Sequence, residues 1–474
     1  PDMVVSNLCD SLLRLEPDYS ASPSLATSWK TSSDHLTTTF TLRKDVTFWD
    51  GRPLTPEDVA YSLERNLDPK NEPVNGAFFD HVKSIKAKGN DQVVVTFKKP
   101  DELFIKEMAT VAGQVSEKAY TESKGSKYGS AAGGVMCSGP FKLENGAWKS
   151  GQQITLTANT NYWNPDLRPL AKKVVLHFIS DSSTLAQSIK SGEIQGAYEL
   201  PPAILPAVTQ SGAGNVYQGK SLQVLELGPT PGPMADQKMR QALGMVIDRK
   251  AMAQVVYHTA ADANFTLIPP PAWDPTGLDI YQKAYDEIPH PDGKDISAAK
   301  QLIAGDPNAS KPIVLAIGAG NQTGVDTATL IQQEAKQIGM DIKIKQLQPL
   351  EFSTAFFDAN ARKGIDLMLT QGWVDVPDPL DYLGLIVLPD SYFNWLGLNN
   401  QKVVKLLDKA RSNYNDKQRA TQITQAQASY EPTQPEIPML SLHEVMYMSK
   451  DVTGAPASFA YIFEPSLATV GSAS

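Results

Sequence analysis

The run Ile313-Val314-Leu315-Ala316-Ile317, closed by Gly318-Ala319-Gly320-Asn321, decides how the second half of the chain is read. Five apolar residues without alternation fit a strand buried on both faces, as in a parallel sheet. Downstream, Leu330, Ile331, Ala335 and Ile338 recur at helical spacing, and Gly339 stops the pattern. Ile342 and Ile344 then mark a strand, Phe352, Ala355 and Phe356 a helix, and Ile365-Asp366-Leu367-Met368-Leu369 a third strand. Strands alternating with helices over short connections require parallel pairing. In such sheets ligands bind beyond the carboxyl ends of the strands. The Gly-rich loop after Ile317 is thus read as lining a cleft. The loop after Leu369 is the second place of interest. It reads Thr370-Gln371-Gly372-Trp373-Val374-Asp375-Val376-Pro377-Asp378-Pro379 and combines an indole, two carboxylates and two prolines. Prolines lower the entropy cost of holding one loop shape. A carboxylate buried beside an indole needs a cationic partner, which a ligand can supply. The competing assignment makes Asp375 and Asp378 turn caps and Trp373 core.

The first ~220 residues have a different texture, rich in short strands. Thr37-Thr38-Thr39-Phe40-Thr41-Leu42, Gln92-Val93-Val94-Val95-Thr96-Phe97 and Ile154-Thr155-Leu156-Thr157 read as strands. Val46-Thr47-Phe48-Trp49 reads as another, ended by the Asp50-Gly51 turn. Thr55, Pro56 and Asp58 occupy the N-cap, N1 and N3 positions of a capping box, and Val59, Leu63 and Leu67 give the helix its apolar face. Further on, residues 238–246 read as a helix, and Asp248 caps the next. A chain of 474 residues exceeds what a single core supports, roughly 250–300, so at least two lobes are expected.

The net charge of −9, from 43 basic and 52 acidic residues, argues against a nucleic-acid binder or a polybasic membrane-surface protein. No stretch reaches the ~18–20 apolar residues of a transmembrane helix. Cys9 and Cys137 are either a disulfide or two small buried hydrophobes. The chain opens Pro1-Asp2-Met3 and is read as trimmed.

Several motifs fail on context. Gly214-Asn215-Val216-Tyr217-Gln218-Gly219-Lys220-Ser221 spells GxxxxGK[ST], but Leu222-Gln223-Val224-Leu225-Glu226-Leu227 follows it with the alternation of a strand, where a phosphate loop needs a helix. The Gly318–Gly324 stretch resembles GxGxxG with one extra residue, and the next strand ends in Gln346, Leu347 and Gln348 without the acidic residue that a ribose needs. The histidines show no metal-binding spacing. Asp375 and Asp378 could serve as paired carboxylates of a hydrolase, but three residues apart on a Pro-rich loop they have no predictable separation.

One resemblance covers nearly the whole chain. After Pro23, Ser24-Leu25-Ala26-Thr27-Ser28-Trp29 resembles P-x-LA-x-x-W. Thr39-Phe40-Thr41-Leu42-Arg43-Lys44-Asp45-Val46-Thr47-Phe48-Trp49-Asp50-Gly51-Arg52-Pro53-Leu54-Thr55-Pro56-Glu57-Asp58-Val59 resembles FxLRxxVxFxDGxPLTAxDV. Both are similar to the signature of the extracytoplasmic solute-binding proteins, family 5, of peptide and nickel ABC importers. The likeness continues at Ser138-Gly139-Pro140-Phe141, Asn161-Tyr162-Trp163, Met239-Arg240-Gln241-Ala242, Ile247-Asp248-Arg249 and the loop 373–379, closest to the peptide-binding branch.

The resemblance implies an α/β, two-lobed periplasmic-binding-protein clamp of the large peptide-binding type, with a two-strand hinge and the ligand between the lobes. Lobe I would be residues 1–221, with a subdomain at about 45–135; lobe II would be 222–440, and 441–474 would return to lobe I. Residues 222–227 would be the first hinge strand. Asp375 holds the place of the aspartate that pairs with a peptide's α-ammonium. Trp373, Trp395 and Tyr392, with Phe393, would be aromatic walls; Gly372, Val374, Gly320 and Asn321 complete the expected ligand-binding set. Strand-like pairing would satisfy the peptide backbone without reading side chains.

One residue separates Trp373 from Asp375 where peptide binders more often have two, and the loop 318–325 lacks the cation that dipeptide binders carry. A longer peptide fits better. Arg362, the nearest later cation, is expected on a solvated helix face. The expected function is therefore a monomeric, non-enzymatic receptor for tri- to pentapeptides, without cofactor or metal. It would be periplasmic or anchored as a lipoprotein, and would serve an inner-membrane ABC permease. The same clamp carrying haem, a nickel chelate or an oligosaccharide is the alternative, with His81, His177 and His258 as the histidines to watch; a hydrolase is the remote one.

Overall fold

The computed structural model describes residues 2–71, 75–389 and 391–473. The chain forms two compact units. The first runs up to Ile179 and resumes at Met448; the second is Ser180–Tyr447.

The first unit holds a four-stranded antiparallel sheet in the order Ala26–Thr31, Thr37–Leu42, Gln92–Phe97, Val82–Lys88. The two middle strands alternate in burial, which puts Phe40, Leu42, Val93, Val95 and Phe97 in the core. Thr55 caps the helix Pro56–Glu64 through the capping box with Asp58. Val46-Thr47-Phe48-Trp49 is not a strand. Only the bridge Thr47↔Pro53 forms there, because the turn at Gly51, with φ +90°, brings the chain back after one pair.

A second small sheet contains Phe141–Lys142, Trp148–Lys149, Gln153–Ala158 and Lys173–His177. Beside it a disulfide joins Cys9 to Cys137, with Cα atoms 4.8 Å apart. Gly139 lets the two segments meet: its N–H donates to Leu8 O at 2.9 Å, and a Cβ there would overlap that carbonyl. The signature residues cluster round the buried Asp10. Its carboxyl accepts from Ser138 Oγ at 2.7 Å, Tyr162 OH at 2.6 Å and Trp163 Nε1 at 3.0 Å. Burial raises the Asp10 pKa above the usual range, and these three donors oppose the shift.

The second unit is built on a six-stranded mixed sheet. Its order is Ala261–Ala263, Ile437–Leu442, Gln223–Pro229, Leu367–Trp373, Pro312–Gly318, Asp341–Leu347. Pro312–Gly318 is parallel to both of its neighbours, as expected; Gln223–Pro229 is antiparallel to both of its own. Leu315 belongs to a core with Ile331 and Ala335, while the next residue, Ala316, packs with Leu347 and Met368. The unbroken apolar run thus serves two covered faces.

One expectation is corrected here. The third parallel strand does not end at Leu369 but continues to Trp373, because residues 369–373 pair with Gln223–Leu227. Gln223–Pro229 is buried along its length at the centre of this sheet, with a ladder on both sides. Gly214–Gly219 is itself a strand, in a separate sheet ordered Gly196–Ala197, Glu444–Ser449, Gly214–Gly219. Ile189, Leu200, Ile204, Val208 and Val445 form the core beside it. Both of these sheets lie mainly in the unit Ser180–Tyr447.

Candidate functional site

The second unit contains a cavity of about 410 Å³ at the carboxyl ends of its parallel strands. Ile317 and Gly318 come from the end of one strand, Leu369, Thr370 and Gln371 from near the end of the next, and Gln223 and Leu225 from the start of the antiparallel one. All three ends coincide because Gln223 is in register with Trp373. Three helix starts also reach it: Ser182 of Ser182–Lys190, Thr323 of Gln322–Gln337 and Pro349 of Pro349–Phe357. The helix dipoles make these ends mildly positive.

Asn321 lines the cavity and caps its helix, its Oδ1 accepting from Gly324 N–H at 3.0 Å. Gly320 adopts φ +81°, and a Cβ there would press on Ser180 O at 3.2 Å. The walls are mainly apolar, with Leu200, Pro201, Pro202, Leu369, Val445 and Phe352. The polar groups are fixed from behind. Gln223 Nε2 donates to Glu199 Oε1 at 2.9 Å. Glu199 is held at φ +49°, its N–H donating to the buried Glu444 carboxyl at 2.8 Å. Burial first, and Glu199 second, push the Glu444 pKa well up. His443 also lines the cavity, with Nε2 2.9 Å from Asp262 Oδ2. Sequence reading missed Glu199, Gln223 and His443 as site residues, since each stands outside any motif.

Trp373 is the last residue of its strand and 43% exposed. Asp375 is half-buried, and its N–H donates to Asp381 Oδ2. Asp381 is fully buried; burial first and the Asp375 charge second raise its pKa well above the usual range. Asp378 is a cap, as the competing assignment had it: Oδ1 accepts from Leu380 N–H at 3.0 Å, and Oδ2 pairs with the buried Arg419, which also binds Asp274 at 3.1 Å. Val374 is buried, its N–H bonded to Leu222 O at 3.2 Å. Gly372 is buried because Tyr382 OH fills the space a Cβ would need.

Trp395 packs on Phe356 and Phe393, with ring centroids 5.9 and 6.4 Å away. Tyr392 is more than half exposed and touches Phe357 at 6.2 Å. Of these aromatic residues Phe352, 5.4 Å from Phe356, lines the cavity, and Trp395 and Tyr392 are not among its lining residues. Arg362 is no solvated cation: it donates to Ala355 O and Phe356 O at 2.6 and 3.0 Å and lies 4.7 Å over Trp395. His81 bonds Pro100 O at 3.1 Å, and both His177 and His258 are exposed.

A mixed α/β fold in two units, with a ligand-sized cavity at a strand-end crevice, defines a binding protein rather than a particular cargo. The profile of the bacterial extracellular solute-binding proteins, family 5 (middle region), matches residues 20–394. The chain belongs to that family, whose members serve ABC importers. It is 25% identical over 473 residues to the dipeptide-binding protein DppE of Bacillus subtilis, covering 95% of this chain and 84% of the relative. It is 26% identical over 447 residues to heme-binding protein A of Haemophilus influenzae, covering 88% and 78%. Among solved structures, the B. subtilis oligopeptide-binding protein AppA in complex with a nonapeptide superimposes with a TM-score of 0.84 at 20% identity, covering 100% of this chain and 94% of that one. Among the described residues no helix is long and apolar enough to cross a membrane.

Proposed function

We propose that the chain is an extracytoplasmic receptor that captures tri- to pentapeptides and delivers them to the permease of an ABC importer, without catalysing a reaction. One observation carries this reading. Leu367–Trp373 pairs with Gln223–Pro229 along its full length, but its pairing with Pro312–Gly318 stops at Ala316↔Met368. Leu369, Thr370 and Gln371 therefore have an open ladder edge, and they line the cavity. An extended peptide can add to that edge by main-chain hydrogen bonds, which read no side chain.

Asp375 supports the same reading as the anchor for the α-ammonium. It follows the open edge by four residues, beside the buried Asp381 carboxyl, while Arg419 is committed to Asp378 and Asp274. A ligand ammonium suits that field.

Native mass spectrometry of the purified protein, with analysis of what denaturation releases, tests the cargo. A spread of short-peptide masses is expected; a porphyrin or a metal chelate would replace the cargo. Asp375→Ala should weaken peptide binding by ~2–5 kcal/mol, the cost of leaving a buried charge unpaired. Undiminished affinity in a titration of that variant would refute the anchor.

A further inference from the structure

Behind the open edge lies a buried acidic arrangement that ligand contact does not explain. Glu226, in the central strand, is 1% exposed, and Glu436, just before Ile437–Leu442, is 4% exposed. Tyr382, on the helix Pro379–Ile386, donates its hydroxyl to Glu226 Oε1. Burial raises both glutamates, Glu226 to about 7, and the charge of Glu226 raises Glu436 further. The titratable group that acts on the pair is Tyr382, and Asp381, on the same helix, acts on Tyr382; from Leu367–Trp373 the neutral Gly372 and Thr370 approach Glu226. Two carboxylates this close and this buried do not both ionise readily, so the pair keeps a proton near neutrality.

The arrangement is mechanically connected to Asp375. Tyr382 OH sits against the backbone of Gly372, where a Cβ would also lie only 2.6 Å from Glu226 Oε1. The residue before Tyr382 is Asp381, whose carboxyl accepts the Asp375 N–H. The tyrosine hydroxyl therefore fixes the helix to the strand, and the helix fixes the loop that presents Asp375.

We propose that Tyr382 and the Glu226–Glu436 pair are positioning residues for cargo capture, holding Asp375 in its binding pose only while the pair retains its proton. This rests on the reading of Asp375 as the ammonium anchor. A carboxyl held protonated by the fold favours that geometry at low pH; the advantage is lost as pH rises through about 7. Cargo affinity should fall over that window. The peptide's own amino group titrates at about 7.7–8.0 and also weakens binding, so the variants carry the test.

Trialanine affinity is measured by calorimetry from pH 6 to pH 8 for the wild type, Glu226→Gln and Tyr382→Phe. Glu226→Gln keeps an acceptor for Tyr382 and removes the charge. The wild type should lose about tenfold more affinity than Glu226→Gln across the window, the equivalent of one pKa unit. Parallel profiles would overturn the proposal. Trp373, two residues from Asp375, gives a readout without cargo: its emission, taken as the difference from Trp373→Phe, should titrate near neutrality in the wild type and lose that step in Glu226→Gln. A flat wild-type titration overturns the proposal even if peptides bind. Absence of trialanine binding with the titration intact rejects the peptide reading and supports the proton-held loop.

Discussion

Asp375 and Asp378 share one chemistry and stand three residues apart, yet their surroundings give them different work. Asp375 is half-buried, and its backbone is tied to Asp381. Asp378 is fully buried between a helix N-terminus and Arg419, one of the most buried large side chains described. Substitution should separate them. Asp378→Ala strips Arg419 of its ion pair while Asp274 remains, and removes a helix cap. A loss of ~3 kcal/mol in denaturant unfolding is expected, from the lost cap and a buried cation left with one carboxylate instead of two. Asp378→Asn, which can still cap, should recover about 1 kcal/mol of it. Asp375→Ala should leave the unfolding midpoint nearly unchanged and act on peptide affinity alone. Equal destabilisation by the Asp375 and Asp378 changes would mean that both aspartates are structural.

At the scale of elements, Leu367–Trp373 extends further than its local sequence predicts. Its first residues are apolar and read as a strand, but Thr370-Gln371-Gly372 carry a turn-like composition. They extend because Gln223–Leu227 supplies a ladder, a long-range fact that no local pattern records. Gly372 is required by packing, not by a turn. Gly372→Ala should cost ~1–3 kcal/mol by forcing Tyr382 aside, and should lower peptide affinity with it. A thermal melt combined with a binding titration checks both, and an unchanged affinity would detach Tyr382 from the site. Where the chain's signals were local they were readable: the Thr55 capping box, the strands at 37–42 and 92–97, and the helix ended at Gly339. The signature motifs identified the family through its scaffold. Ser138, Tyr162 and Trp163 satisfy the buried Asp10, and Arg240 bonds four backbone carbonyls, including Gln434 O at 2.7 Å and Thr433 O at 2.6 Å. Glu199 and Gln223 belong to no motif, because what brings them to the cavity is pairing between distant segments.

At the scale of the whole molecule, the buried carboxyls set a pH dependence of stability that the net charge alone does not. Burial raises Glu226 and Glu334 to about 7, and Glu431 and Glu464 to about 8; Asp10, Asp381, Glu436 and Glu444 are raised as well. An unfolded chain releases such protons near pH 4.3 for Glu, whereas the folded chain holds them to neutrality and beyond. Between these limits the folded state binds more protons than the unfolded one, so stability falls as pH rises. The carboxylates that hydrogen bonds hold low, such as Asp181 at about 2, act the other way, but they lie on the surface and lose stability only in strong acid. The stability maximum is therefore expected on the acid side of neutrality, with a continuous decline from about pH 5 to pH 8. Unfolding by urea at a series of pH values measures it directly, with the midpoint as the readout. Glu226→Gln and Glu464→Gln should each flatten the decline. A midpoint that rises from pH 5 to pH 8 would mean that these groups are ionised and paired in the folded chain, and the proton-held loop at Asp375 would fall with them.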